Sequence, residues 1–394
     1  MGSVRTQVAI VGAGPAGLVL GHLLHGLGIE AVVLEARERG YVESRVRAGV
    51  LEQGTVDLLH EMGVGDRLDR EGMVHEGVEL RFAGLPHRID FTELTGGKSI
   101  TIYGQQEVVK DLIAARLDAG APLHFEVDEV TLEGLDSDRP AVRYVHDGQE
   151  HELVCDYVAG CDGFHGVCRD AVPEGGLRFH EREYPYAWFG VLAEAAPSTD
   201  ELVYCHSDRG FALYSMRSPT LSRLYFQCDV GEDPDDWSEG QIWEELRTRL
   251  ARRDDWELGE GPIVDKGVTP MRSFVAEPMQ HSRLFLAGDA VHIVPPTGAK
   301  GMNLAIADVR VLAEALRRHY DDGDDSALEG YSAECLRRVW RTQYFSYWMT
   351  SLLHRPPDDN DGFATRLQLA QLEYVCSSRA ASTMLAENYV GAVA

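Results

Sequence analysis

No run of residues in this chain is long and apolar enough to cross a membrane as a helix, and its first residues lack the hydrophobic core of a signal peptide. The expectation is a soluble, cytoplasmic protein. Positive charge is also scarce: 37 Lys and Arg stand against 64 Asp and Glu, a formal net charge of −27. Such a field disfavours nucleic acid and anionic membranes as partners, and a small anion has to be held by a local basic pocket. The seven cysteines (Cys155, Cys161, Cys168, Cys205, Cys228, Cys335 and Cys376) show no C-x-x-C spacing and no paired histidine cluster. Free thiols in a reducing compartment, without a structural metal, are expected. Met1-Gly2-Ser3-Val4-Arg5-Thr6 fits a myristoylation pattern, but it abuts a strand of buried character and reads as a chance match. What is present is 394 residues, 44% of them apolar, enough for a large core and two domains.

The first informative stretch is Thr6-Gln-Val-Ala-Ile-Val-Gly12, an apolar strand. It is followed by Gly12-Ala13-Gly14-Pro15-Ala16-Gly17 opening a helix, then by a second strand, Ala31-Val-Val-Leu-Glu35. Strand, G-x-G-x-x-G, helix, strand and terminal acid is the dinucleotide-binding pattern. Gly12, Gly14 and Gly17 admit a pyrophosphate to the helix N-terminus, and Glu35 can take both hydroxyls of a ribose. Arg45 and Arg47 precede a helix through Val56 and Leu59 and either reach phosphates or are solvated. Strands are expected near 78–82 and 99–103, a helix over 105–117, and a β-meander from segments near 122–133, 141–147 and 152–159. Asp162, in a strand-ending Asp-Gly, either meets a ribose or ribityl hydroxyl or is a bare turn.

Near the other end, Gly288-Asp289-Ala290-Val291-His292-Ile293-Val294-Pro295-Pro296-Thr297-Gly298-Ala299-Lys300-Gly301-Met302-Asn303 joins a short apolar strand to a helix patterned by Leu304, Val309, Leu312 and Leu316. The prolines stiffen this crossover, Gly298 and Gly301 allow backbone close to a ligand, and the helix start suits a ligand that gains negative charge. It reads either as a ligand loop or as a structural crossover. Between the two ends, about 176–268, aromatic-rich strands define a second, β-rich domain. There Phe211–Arg217 and Ser222–Cys228 flank Ser218-Pro219-Thr220 as a hairpin. Alternation puts Leu213, Ser215 and Arg217 on one face, with Arg223, Tyr225 and Gln227 beside them and Leu202 and Tyr204 on the preceding strand. Two guanidiniums, a hydroxyl and two phenols among aliphatics suit an aromatic carboxylate; an exposed sheet face is the other reading. Arg209, Arg217 and Arg223 have only Asp208 among them from 207 to 227, a sign reversal that favours an anion site.

Over nearly its whole length the sequence resembles the 4-hydroxybenzoate 3-monooxygenase family of single-component flavoprotein hydroxylases. The strings that carry the resemblance include Arg47-Ala-Gly-Val-Leu-Glu-Gln-Gly54, Val74-His-Glu-Gly-Val78 and Ala159-Gly-Cys-Asp-Gly-Phe-His-Gly166. Arg272-Ser-Phe-Val275, Pro278-Met-Gln-His281, Leu284 through Asn303 and Glu387-Asn-Tyr-Val390 complete them. The resemblance implies FAD held by the Gly12–Gly17 loop, with Glu35 on the ribose and Arg47 near the pyrophosphate. Gln105 and Asp289 would meet the ribityl and phosphate portion, and Lys300 and Asn303 would lie near the flavin ring, on the helix start that runs through Met302. It places a substrate carboxylate on Ser215, Arg217 and Tyr225. The phenol falls on Tyr204 beside the Pro296 carbonyl, with Tyr389 and His75 extending a proton relay. Arg223 would help hold the flavin, and His165 and Arg272 would serve the pyridine nucleotide.

The implied reaction is hydroxylation of 4-hydroxybenzoate ortho to its phenol, with NAD(P)H and O₂, through a flavin C4a-hydroperoxide. One departure concerns the coenzyme: members strict for NADPH carry an arginine directly after the ribose acid. Here Ala36 stands in that place, with Arg37, Glu38, Arg39 and Tyr41 following. Glu38 would repel a 2′-phosphate, so NADH is expected to serve at least as well as NADPH, with NADH or NADPH as reductant. The expected architecture is α/β with an α+β second domain. A Rossmann-like FAD-binding domain (1–175 and 269–350) joins a β-sheet substrate domain (176–268) and a C-terminal helical segment (351–394) that closes the site and forms a homodimer interface. A hydroxylase of another phenolic or amino-benzoate, and a non-catalytic FAD- or aromatic-acid-binding protein, are the competing readings. A two-dinucleotide reductase is disfavoured because no second G-x-G-x-x-G follows a strand.

Overall fold

The computed structural model describes residues 3–47 and 49–391; Met1-Gly2 of the myristoylation pattern and Ala48 of the 47–54 string lie outside them. Strands whose every residue is apolar need cover on both faces, and Val8–Val11, Ala31–Leu34 and Tyr157–Gly160 are buried throughout. They form the centre of a six-stranded sheet ordered Gln280–His281, Leu284–Leu286, Tyr157–Gly160, Val8–Val11, Ala31–Leu34, Leu123–His124. All its pairings are parallel except that of the first strand. Both ends of the chain therefore contribute to one sheet. Helices Pro15–Gly26 and Gly301–Asp322 share its core.

The meander expected over 122–159 is divided. Asp128–Glu133, Ala141–His146 and Gln149–Val154 form an antiparallel run with Ser3–Arg5 added in parallel. Leu123–His124 and Tyr157–Gly160 belong instead to the six-stranded sheet. The reason is burial: Tyr157–Gly160 has no polar alternation, so a half-solvated meander cannot hold it.

The second large sheet has eight strands, ordered His292–Ile293, Ile263–Glu277, Arg178–Ala193, Leu221–Cys228, Gly210–Ser218, Val203–Ser207, Gly77–Phe82, Leu85–Asp90. Its last two strands come from the first 175 residues, and Gly77–Phe82 pairs with Val203–Ser207 in parallel. One face is closed by helix Glu239–Arg249, which starts at a Ser238–Gln241 capping box and packs Ile242, Trp243 and Leu246 against Phe189, Val203, Ala212 and Phe226. The opposite face, with Trp188, Tyr204 and Leu213, packs under the C-terminal helices Ser326–Leu353, Phe363–Ser377 and Arg379–Tyr389. Helix Ser326–Leu353 runs unbroken through position 350. Among the described residues no helix is long and apolar enough to cross a membrane, and all seven cysteines are unpaired.

Two buried histidines make stability depend on pH. Burial lowers His75 to about 4, with Glu201 and Asp200 opposing, and lowers His354 to about 3. Both folded values lie below the unfolded value of about 6.5, so below that pH the unfolded chain binds protons that the native fold refuses. Their contribution is therefore full above about pH 6.5 and is lost as pH falls, by up to about 3 kcal/mol for His75 alone. The melting temperature is expected to fall between about pH 6.5 and pH 5, above the range where most carboxylates titrate, and less steeply in His75→Gln. A flat wild-type profile across that interval contradicts it.

Candidate functional site

At the first crossover Gly12 and Gly17 are sterically required. Gly12 has φ +103°, and a Cβ there would lie 2.3 Å from the Cys161 carbonyl oxygen; a Cβ at Gly17 would lie 1.9 Å from that of Gly12. A Cβ at Gly14 would meet nothing within 4 Å, so the space over the start of helix Pro15–Gly26 is open to a ligand. Glu35 is held beside that space: Ala13 N–H donates to Oε2 at 2.7 Å and Arg37 N–H to Oε1 at 2.8 Å. Each oxygen keeps an acceptor site for a ribose hydroxyl. These are the features a dinucleotide pyrophosphate and ribose require. Asp162 lies just behind Gly12. Its Oδ2 accepts from Cys168 N–H at 2.8 Å and its Oδ1 is buried without a partner among the described residues. Burial raises its pKa despite that bond.

The second crossover is drawn onto the segment 47–55. Arg47 lies 3.7 Å from Asp289. Asn303 ties the two more firmly: its Oδ1 accepts from Glu52 N–H (3.0 Å) and Thr55 Oγ1 (2.8 Å), and its Nδ2 donates to Val50 O (2.9 Å) and Ala299 O (3.3 Å). The amide is thereby saturated, and it positions backbone. Lys300 is similar, its buried ammonium donating to Glu52 Oε1 (2.7 Å) and the Tyr389 carbonyl (2.8 Å). Burial lowers its pKa and Glu52 opposes. Glu52 went unnoticed in the sequence, because nothing local marks a partner 248 residues away. Gly298 packs against helix Ser326–Leu353, where a Cβ would come 2.8 Å from Ser346 Oγ. Gly301 starts helix Gly301–Asp322 with buried Met302 next to it. Behind the crossover, Asp308 accepts from Gly288 N–H at 3.1 Å and pairs with His292 at 2.5 Å, both fully buried. Neither was singled out from the sequence.

Gly49 is the joint between halves: a Cβ there would come 3.0 Å from Arg217 Nη1 and 3.3 Å from the Gly104 Cα. Gln105, which opens helix Gln105–Asp118, follows Gly104 directly, so it too stands at this joint. Tyr225 lies opposite Leu213 and Arg223 opposite Ser215, which puts all four on one sheet face as their spacing required. The Tyr225 hydroxyl accepts from Arg223 Nε at 3.2 Å, and Arg223 also reaches Asp265 at 3.0 Å. Burial alone would raise Tyr225, but the Arg217 and Arg223 guanidiniums outweigh it and its pKa is lowered. The Arg217 guanidinium keeps a buried Nε without a partner among the described residues. Ser215 donates to the Arg223 carbonyl at 2.8 Å, so its hydroxyl must rotate before it can serve a ligand.

Tyr204 and Tyr389 are each 1% exposed, and their hydroxyl oxygens are 2.6 Å apart. Burial raises both pKa values. His75 is fully buried, yet neither ring nitrogen has a hydrogen-bond partner among the described residues, so the relay's expected third member is not hydrogen-bonded to Tyr389. The Pro296 carbonyl accepts from Ala299 N–H at 2.9 Å. Arg209 is not part of the site: it pairs with Glu245 on helix Glu239–Arg249, on the sheet's far side. The coenzyme candidates form two groups. Arg37 and Arg45 stand 5.5 and 5.7 Å from the Tyr41 ring centroid, and Arg272 stands 5.0 Å from Phe164, which packs edge-on against His165.

Comparison with known proteins agrees with this geometry. Residues 5–346 match the FAD binding domain family. The chain is 48% identical over 391 residues to the p-hydroxybenzoate hydroxylase of Acinetobacter baylyi, covering 99% of this chain and 96% of that one. The p-nitrophenol 4-monooxygenase of Pseudomonas putida superposes with a TM-score of 0.80 at 20% identity over 100% of both chains. The anhydrotetracycline hydroxylase of Streptomyces rimosus does so with a TM-score of 0.77 at 23% identity, covering 98% of this chain and 76% of that one. With a first crossover that requires glycine at positions 12 and 17 and a relative that matches the chain over 99% of its length, this chain belongs to the FAD-dependent aromatic monooxygenase family that includes the p-hydroxybenzoate hydroxylases.

Proposed function

We propose that this enzyme hydroxylates 4-hydroxybenzoate ortho to its phenol, giving 3,4-dihydroxybenzoate, with FAD, O₂ and NADH or NADPH. One oxygen atom enters the product, and the other leaves as water with two electrons from the reduced coenzyme. The observation that carries the reading is a single sheet face with Arg217 and Arg223 around Tyr225 at one end and the Tyr204–Tyr389 pair at the other. A benzoate with a para hydroxyl carries an anion at one end and a phenol at the other, and the aliphatic and aromatic side chains of this face suit its ring.

Bound FAD supplies reduction by the nicotinamide, activation of O₂ and delivery of one oxygen atom. The Gly12–Gly17 loop, Glu35 and Arg47 would hold it, with Asp289 and the start of helix Gly301–Asp322 completing the cradle. The protein's own work is to hold the carboxylate on Arg217 and Tyr225, exclude water, and favour the phenolate, which is the better nucleophile. A free phenol has a pKa near 10, so ionisation at pH 7 costs about 4 kcal/mol. A hydrogen bond donated by Tyr204 to the substrate oxygen offsets part of this, and Tyr389 can take the proton that Tyr204 passes on only as it releases its own hydroxyl proton to a further acceptor, water or His75. Tyr204 itself, raised by burial, stays protonated and available as donor. His75 can join only through a bridging water or a movement that brings it to Tyr389. A hydroxylase for another phenolic or amino-benzoate keeps the Arg217 anchor but does not need Tyr204 opposite a para oxygen.

The helices Ser326–Leu353 and Phe363–Ser377 expose Tyr344 (63%), Phe363 (66%) and Tyr374 (60%), which supports the expected homodimer. For the coenzyme, Arg39 is paired with Glu43 at 2.6 Å, which leaves Arg37 and Arg45 on Tyr41 as the cations against which Glu38 acts.

Three outcomes are expected. Purified enzyme forms 3,4-dihydroxybenzoate from 4-hydroxybenzoate, read by chromatography, and Tyr204→Phe loses about 100-fold in product formation. An unchanged rate in that variant means the phenol sits elsewhere. Second, kcat/KM for NADH equals or exceeds that for NADPH; a preference for NADPH of about 100-fold, some 3 kcal/mol, contradicts the reading of Ala36 and Glu38. Third, sedimentation gives a dimer; a monomer at micromolar concentration refutes that expectation.

A further inference from the structure

Trp188 stands on the same sheet face as the site. It pairs with Gln227 in the register of strands Arg178–Ala193 and Leu221–Cys228, two positions from Tyr225, and side chains two apart share a face. Its ring centroid lies 4.9 Å from that of Tyr225 and 5.2 Å from that of Phe211. The indole is buried, and its Nε1–H donates to Nε2 of His354 at 2.6 Å. The other ring nitrogen, Nδ1, lies 2.9 Å from the Thr350 carbonyl oxygen. An indole N–H can only donate and a carbonyl can only accept, so these partners fix His354 as the neutral tautomer protonated at Nδ1. Burial holds its pKa down to about 3, so that state persists at neutral pH.

The imidazole cannot shift easily. It stacks on Phe211 at 4.4 Å and on Tyr186 at 4.8 Å. The backbone around it is clamped to the sheet: Gln227 Nε2 donates to Arg355 O at 2.8 Å, and Gln227 Oε1 accepts from Arg355 N–H at 2.9 Å. Gln368 donates to the His354 carbonyl at 2.7 Å. A buried indole N–H left without an acceptor is unfavourable. Without His354, therefore, the Trp188 ring has reason to turn, and Tyr225 loses the surface behind it.

We propose that His354 is a positioning residue of the substrate site: as the acceptor for Trp188 it fixes the indole that backs Tyr225, and so sets where a benzoate ring rests relative to Arg217. The inference depends on the benzoate reading of the site. A histidine that only fills space at the end of helix Ser326–Leu353 would affect stability and leave affinity alone.

The test is a double-mutant cycle on the FAD-loaded enzyme, with calorimetric titration of 4-hydroxybenzoate, steady-state kinetics and melting temperature for each protein. His354→Leu is expected to raise Kd and KM about tenfold while kcat changes by less than about threefold. Trp188→Phe removes the donor and is expected to weaken binding similarly, and the double variant to bind no worse than the weaker single one, because the two side chains act as a unit. His354→Gln, whose amide oxygen can accept, recovers much of the affinity. Where His354→Leu does not fold, the contrast between Trp188→Phe and His354→Gln decides: the proposal requires the first to bind more weakly than the second. Losses that multiply in the double variant, or a lower melting temperature in His354→Leu at unchanged Kd, overturn it. The wild-type titration separates the readings. No binding there removes the substrate assignment and this proposal together; binding there with unchanged affinity in His354→Leu removes this proposal alone.

Discussion

Two guanidiniums held around one phenol, on a sheet face that the rest of the chain covers, form the constraint on which this structure turns. Burying a cation is unfavourable unless it is paired and hydrogen-bonded. Arg223 is provided for by Asp265 and Tyr225, whereas Arg217 keeps a buried Nε with no partner among the described residues. Such a site favours an incoming carboxylate, which completes the pairing that folding leaves open. In a chain of net charge −27 that local reversal also separates the site from its surroundings. The lowered pKa of Tyr225 reports the same positive potential.

The segment 47–55 joins this sheet face to the crossover at 288–303. Gly49 is small enough to seat Arg217 against it, Arg47 reaches Asp289, and the Asn303 amide binds Val50, Glu52 and Thr55 to the start of helix Gly301–Asp322. Three parts of the chain far apart in sequence thus meet at one short stretch.

The parts legible in the sequence are those fixed by short-range rules. The pyrophosphate loop follows from glycine sterics, and the face shared by Leu213, Ser215, Arg223 and Tyr225 follows from strand alternation with a tight Pro219-Thr220 turn. What was missed is long-range. Arg209 looked like part of the anion site because only Asp208 was near in sequence, yet its partner Glu245 arrives on the helix that closes the other face. Strand Gly77–Phe82 was legible as a strand, but its pairing with Val203–Ser207 depends on a parallel partner more than a hundred residues on. The part Asn303 plays in tying the two segments together is likewise hidden, because residue type alone does not show that all four of its hydrogen bonds are taken inside the protein. His75 is the converse: the sequence shows neither that it is buried nor that both its ring nitrogens lack a hydrogen-bond partner among the described residues.

The most direct measurement is a crystal structure of the FAD-loaded enzyme with 4-hydroxybenzoate. The account predicts the carboxylate in contact with the Arg217 guanidinium and the Tyr225 hydroxyl, and the phenol oxygen within hydrogen-bond distance of Tyr204. A ligand bound elsewhere, with Arg217 turned to bulk solvent, would contradict it.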